Sequence, residues 1–160
     1  MRKSNALMAI AGTVLLASLA YALMGMGGGM GPGMMGHGPA GVSVVRHRYV
    51  MSHGIDSAYA NASNPLYAND ANLKAGKAVF EKNCAICHGV AGHGAGPAAK
   101  GLNPAASDLT SAMRMPMVSD SYLDWTISEG GVPVQSAMPP FKSVLTKDEL
   151  WELVLYLRTL

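Results

Sequence analysis

The sequence predicts an all-α domain in which three main short helices and long loops wrap a large prosthetic group. Three observations carry this reading. Residues 69–83 and 146–157 each join a capping side chain to a stripe of apolar residues, and 120–129 reads as a further helix stopped by a glycine pair. No stretch of Asp70–Leu160 alternates convincingly as a strand would. The loops between these segments are long, and a domain of about 90 residues cannot close a deep core over such loops unless they have something to wrap.

The chain of 160 residues has room for one domain with tails, since a domain usually takes about 100–200 residues. Apolar residues make up 49 %, charged residues 14 %, and the formal net charge is +2. That balance fits neither a charge-rich disordered chain nor a basic nucleic-acid binder. Two cysteines exclude a multi-disulfide scaffold and a zinc ribbon with four thiolates. Whatever the cysteines do, they do together.

Residues 1–24 read as an address. Arg2 and Lys3 lead into Ala6–Ala22, an apolar run broken only by Gly12, Thr13, Ser18 and Tyr21, which is the order of a secretory signal. Ala20 and Ala22 are the small residues a signal peptidase reads, so cleavage after Ala22 is preferred. The alternative is an uncleaved anchor, because Leu7 to Met26 approaches the ~20 residues that span a bilayer. Either way the remainder is expected in the periplasm, soluble or tethered to the outer face of the inner membrane. Without Arg2 and Lys3 the chain has 10 basic and 10 acidic residues, and net charge gives no strong steering.

From Gly25 to Gly41 the chain holds nine glycines and four methionines, too little apolar mass to offset its ordering entropy. It reads as a flexible tether whose root-mean-square span is ~20–25 Å. The sharper alternative is a thioether site for Cu(I) built from Met24, Met26, Met30, Met34, Met35 and His37, but a glycine-rich chain preorganises no geometry. Residues 42–68 form an extension of unclear structure. Within it Val42–Met51 is β-branched enough for a short strand or a strip packed on another surface, and His47 and His53 read as solvated rather than ligating. Asn64-Pro65 marks a boundary.

Asn69 or Asp70 caps a helix running to Asn83, with Leu73, Gly76, Val79 and Phe80 on one face. Gly89 to Pro104 is glycine- and proline-rich loop. Asp120–Glu129 reads as a second helix stopped by Gly130-Gly131, and Pro133 to Pro140 is extended. Thr146-Lys-Asp-Glu149 is a capping box before a helix striped by Leu150, Leu153, Val154 and Leu157.

The chemistry sits in Cys84-Ala-Ile-Cys87-His88. This spacing places two sulfurs about one helical turn apart, where they can add to the two vinyl groups of a haem, with an imidazole beside the second thioether aimed at the iron. A thioredoxin-type disulfide would want a βαβ surround that the pattern lacks. Zinc bound by Cys84, Cys87, His88 and His93 would lack room for tetrahedral geometry. Export agrees with the haem reading, because c-type haem is attached outside the cytoplasm.

Taken together, Gly76-x-x-x-Phe80-x-x-x-Cys84-x-x-Cys87-His88-Gly89, a Gly-Ala-Gly-Pro97 loop, Ala137-Met138-Pro139-Pro140-Phe141 and Leu153-Val-Leu-Tyr156-Leu157-Arg158 resemble a class I monohaem cytochrome c over about residues 69–160. The resemblance implies the cytochrome c fold, with the first and last helices crossing at Gly76 against Leu153 and Tyr156. It implies one covalent haem c whose iron is ligated by His88 and a methionine. Met138 is preferred because Pro139 and Pro140 stiffen its loop; Met115, with Pro116 after it, is the alternative, and Met113 and Met117 read as packing residues. By the same resemblance the carbonyl of Pro97 receives the second ring nitrogen of His88. His93 reads as a solvent-exposed loop residue, and Asp108 as the cap of a short helix under the haem propionates.

A one-electron carrier of a respiratory or periplasmic chain follows from that resemblance, with no catalytic residues of its own. Its partners would be a quinol-oxidising complex, a dehydrogenase or a terminal oxidase. Eight basic and nine acidic residues within 70–160 favour small, apolar, short-lived contacts. The alternatives are a fixed cytochrome subunit of a larger membrane or periplasmic oxidoreductase, and a haem sensor in which Met138 is labile.

Overall fold

The computed structural model describes residues 44–160, and the expected leader and the Gly/Met tract lie outside them. The described residues form six α-helices and no strand: α1 Val44–His53, α2 Asp70–Asn83, α3 Ala85–His88, α4 Leu109–Ala112, α5 Asp120–Glu129 and α6 Lys147–Leu157, with a 3-10 turn at Val132–Val134 between the last two. None of the described helices is long and apolar enough to cross a membrane. The all-α expectation holds.

Local chemistry starts each main helix. The Asn69 side chain accepts from Asn72 N–H ahead of α2, and Ser119 accepts from Tyr122 N–H ahead of α5. At α6 the capping box is complete: Thr146 accepts from Glu149 N–H while Glu149 accepts from Thr146 N–H. Helices α2 and α6 then cross at Gly76, where a Cβ would stand 2.0 Å from Glu152 O and 3.0 Å from Tyr156 Cβ. A mid-helix glycine costs about 1 kcal/mol against alanine, and here only glycine lets the backbones meet. Beside the crossing, Phe80 and Tyr156 rings lie 5.4 Å apart.

Phe80, Leu153 and Val154 are fully buried at this contact, each contributing about 1.5–3 kcal/mol through its removal from water. Leu123, Ile127 and Trp151 continue the core toward α5. Residues 54–69 run back over the domain. Ser121 Oγ donates to Ala60 O and Ala62 O, and Asn64 Nδ2 donates to Trp151 O at 2.9 Å.

Val44–His53 is a helix where the sequence suggests a short strand or packed strip. Tertiary contacts override the β preference of its valines. Arg46 is buried, Tyr49 and Val50 are half-buried, and these positions with His53 are spaced three and four apart, as one helical face requires. Tyr49 stacks on Trp125 at 5.8 Å and on His53 at 4.5 Å.

Candidate functional site

After Asn83 the chain turns directly into α3. The N–H groups of Cys87 and His88 donate to Cys84 O at 3.1 and 2.9 Å, so one helical turn sets Cys84, Cys87 and His88 on the wall of a single cavity of about 310 Å³. Ile86, between the cysteines, faces out at 54 % exposure. The following loop takes up the free carbonyls of that turn. Gly94 N–H donates to His88 O at 2.8 Å, Gly96 N–H to Cys87 O at 3.0 Å and Ala98 N–H to Ile86 O at 2.8 Å. A Cβ on Gly96 would sit 2.4 Å from Ile86 O and 2.6 Å from Ala85 O, so glycine permits the closure.

His88 Nδ1–H donates to Ser107 O at 2.9 Å. This corrects the role expected of Pro97, which is exposed and does not line the cavity. The physical reason lies in the loop: residues 94–98 present N–H groups to the cysteine turn, and Gly94 presses on residues 106–107 closely enough that its Cβ would meet Ala106 O at 2.4 Å. Ser107 therefore holds the acceptor position. Burial keeps the His88 ring below its ordinary pKa, with the Ser107 carbonyl acting the other way. With the proton assigned to Nδ1 by its bond to Ser107 O, Nε2 keeps a lone pair to donate.

Cys84 and Cys87 are free thiols. Burial, with Cys87 adding to it, pushes the Cys84 thiol up to about 12. Among the described residues no three His, Cys, Asp or Glu side chains converge as a metal site would need. His93 is exposed, 3.6 Å from Asp108 Oδ1. Asp108 caps α4 through Ser111 N–H, and its carboxyl is held below the usual range first by the Thr110 hydroxyl. Leu109 and Ala112 of α4 face the cavity.

All four candidate methionines pack against the core, and three of them, Met113, Met115 and Met138, also line the same cavity. Met138 belongs to a segment tied along its length to the end of α5. Gly131 N–H donates to Met138 O at 2.7 Å, and Phe141 N–H to Ile127 O at 3.0 Å. Gly130, at φ +61°, ends α5 where a Cβ would lie 2.4 Å from Pro139, so the glycine pair both stops the helix and admits the methionine segment.

Sequence reasoning missed Arg46 and His47, which reach the cavity from α1. The available signal was the helical spacing of residues 46, 49, 50 and 53, masked by the valines around it. Burial pulls the Arg46 pKa down while Tyr122 opposes it. The rest of the wall is mostly aliphatic, with Leu102, Leu123, Ile127 and Leu157 among its residues. Two free thiols one turn apart, an imidazole between a backbone acceptor and the cavity, and aliphatic walls fit a covalently attached porphyrin.

The comparisons agree with this geometry. Residues 71–157, more than half of the chain, match the family described as cytochrome c oxidase, cbb3-type, subunit III. That region runs from the first turn of α2 to the end of α6 and leaves α1 outside. Among solved structures, a chain of the Kuenenia stuttgartiensis reducing HAO-like protein complex is similar, with a TM-score of 0.50 and 28 % identity, covering 59 % of this chain and 46 % of that one. The protein thus corresponds to under half of that neighbour's length. A search of curated protein sequences finds no match. The chain belongs to the family of cytochrome c oxidase, cbb3-type, subunit III, a cytochrome c family whose cofactor is covalently bound haem c and whose work is electron transfer.

Proposed function

We propose that this protein carries single electrons in a respiratory or periplasmic chain, outside the cytoplasm, through one haem held by Cys84 and Cys87 and ligated by His88 and Met138. The observation that carries this reading is that all four side chains line one cavity. When bound, the haem iron supplies the one-electron redox centre. The chain's residues bind it by two thioethers, orient the imidazole through Ser107, and exclude water with the aliphatic wall. A Met138 thioether as ligand together with the His88 imidazole would favour the reduced state. Held by His88 and Met138, the iron would exchange electrons and offer no ligand position to a substrate. The basic-then-apolar N-terminus supports export.

The test is made on the matured protein. Its mass must include one haem that survives denaturation, and Met138→Ala must change the ferric spectrum, lower the potential by on the order of hundreds of millivolts, and let the reduced protein bind carbon monoxide. Met115→Ala must do none of these. An unchanged spectrum in Met138→Ala sinks the ligand assignment.

A second reading, a fixed haem subunit of a larger oxidoreductase, is supported by the family's description as an oxidase subunit and by a structural neighbour that is part of a complex. Size-exclusion of detergent extracts separates the two. A lone small haem protein supports the carrier, and co-migration with other redox subunits supports the subunit.

A further inference from the structure

Helix α1 lies outside the region that matches the family, yet it lends Arg46 to the haem cavity. Arg46 is 5 % exposed, although arginine is almost never fully buried without partners. Its guanidinium donates to Gly130 O and lies 5.1 Å from the centre of the Trp125 ring. The next residue, Gly131, donates its N–H to Met138 O at 2.7 Å. From Arg46 to the methionine segment there are thus two hydrogen bonds and one residue step. Taking a guanidinium out of water costs several kcal/mol, and an apolar side chain would fill the same volume without that cost. Arg46 is also among the residues that line the cavity.

We propose that α1 is a working part of the haem site: Arg46 is a positioning residue that holds the Met138 segment through Gly130 and sets a fixed positive charge in the cavity wall, favouring the reduced haem. This rests on the His88/Met138 reading above. The sign follows from charge: reduction adds an electron to the cofactor, and a nearby cation stabilises the added charge. A unit charge acting over about 10 Å at an effective dielectric constant of about 20 moves an equilibrium by about tenfold. Arginine stays charged under these conditions because its intrinsic pKa is so high. Trp125 and Gly130 O hold the fork in a fixed geometry that lysine cannot copy.

The experiment compares full-length holoproteins carrying Arg46→Gln, Arg46→Lys and, as a control on the exposed side of α1, Arg48→Gln. Equilibrium with a redox mediator and carbon monoxide uptake by the reduced form are the readouts. Arg46→Gln is expected to move the redox equilibrium about tenfold toward the oxidised form, ~59 mV for one electron, and to admit carbon monoxide. Arg46→Lys keeps the charge but not the fork, so it restores most of the redox shift while still admitting more carbon monoxide than the parent. Arg48→Gln matches the parent in both. A parental potential and carbon monoxide indifference in Arg46→Gln overturn the proposal whatever happens to the melting temperature. If Arg46→Gln yields no holoprotein, Arg46→Lys decides, and parental carbon monoxide uptake there overturns the positioning role. Met138→Ala run in parallel separates the failures. If it leaves the ferric spectrum unchanged, the ligand assignment is wrong; if it alters the spectrum and the Arg46 variants alter nothing, only the role of α1 falls.

Discussion

The cysteine side and the methionine side of the haem cavity are held in different ways. On the cysteine side the restraints come from nearby sequence. The turn at Cys84–His88 closes on itself, and Gly94, Gly96 and Ala98 satisfy its carbonyls from a few residues downstream. On the methionine side the local ties are themselves held from far away. Gly131 grips Met138 O, Arg46 grips Gly130 O across 84 positions of sequence, and Tyr59 OH donates to Glu129 from 70 positions upstream. Short-range restraints form cheaply because little loop entropy is lost, whereas long-range ones depend on the whole fold being in place. The cysteine wall is therefore the rigid half, and the methionine wall is the half on which the rest of the protein acts.

Replacing both cysteines by alanine attacks the rigid half at its chemistry and gives the largest effect. The double variant Cys84→Ala, Cys87→Ala is expected to lose all haem on a denaturing gel, while each single variant retains a weaker attachment. Haem that stays bound after denaturation of the double variant would show that attachment is not through these sulfurs. The two glycines behind the walls separate the halves more finely. Gly96→Ala drives a Cβ to 2.4 Å from Ile86 O, and Gly131→Ala drives one to 2.0 Å from Ser136 O. Each should cost about 1–3 kcal/mol as an overpacked contact, read from thermal unfolding. Their second readout differs. Gly96→Ala should lower the yield of matured holoprotein and leave carbon monoxide uptake alone, and Gly131→Ala should raise that uptake. Equal carbon monoxide uptake by both would abolish the distinction between the two walls.

The same contrast explains what the sequence made legible. The helix α5 at Asp120–Glu129, the Asn69 and Thr146 caps, the Gly76 crossing and the cysteine turn depend on residues within a turn or two of one another, or on a spacing that one chemistry demands. All of them can be read from the chain. The acceptor for His88 could not be, because Pro97 and Ser107 both lie on the loop after the cysteines and only its folded path decides which carbonyl arrives. Arg46 was hidden for a related reason. Its significance lies in Gly130 and Trp125, neither of which is near it in sequence, and the valines beside it favour a strand until packing on α5 settles the matter. The choice among methionines sits between these cases, since Pro139 and Pro140 mark the Met138 segment locally while Met113 and Met115 reach the same cavity.

Acid offers the mildest way to sharpen the comparison, because each wall has one carboxylate held below its usual range. Glu129, on the methionine side, is lowered first by the Tyr59 hydroxyl and then by Lys142, which stands 2.9 Å from Oε2. Asp108, beside the cysteine wall, is lowered first by Thr110. A carboxylate whose folded pKa is depressed stabilises the fold above its unfolded value and loses that contribution as pH falls through the folded one. The loss begins near the ordinary 4.5 for Glu129 and near 3.8 for Asp108. Both groups are partly in water, so each is expected to be worth under about 1 kcal/mol at neutral pH. Acidification should then loosen the methionine side first, seen as a change in the ferric spectrum at a higher pH than the fall in helix content. Glu129→Gln removes the charge from the Tyr59 and Lys142 contacts and should abolish that early step. Asp108→Asn, which still caps α4, should leave it in place and shift only the later unfolding. An early spectral step that persists in Glu129→Gln would mean that the long-range ties of the methionine wall do not set its response to acid.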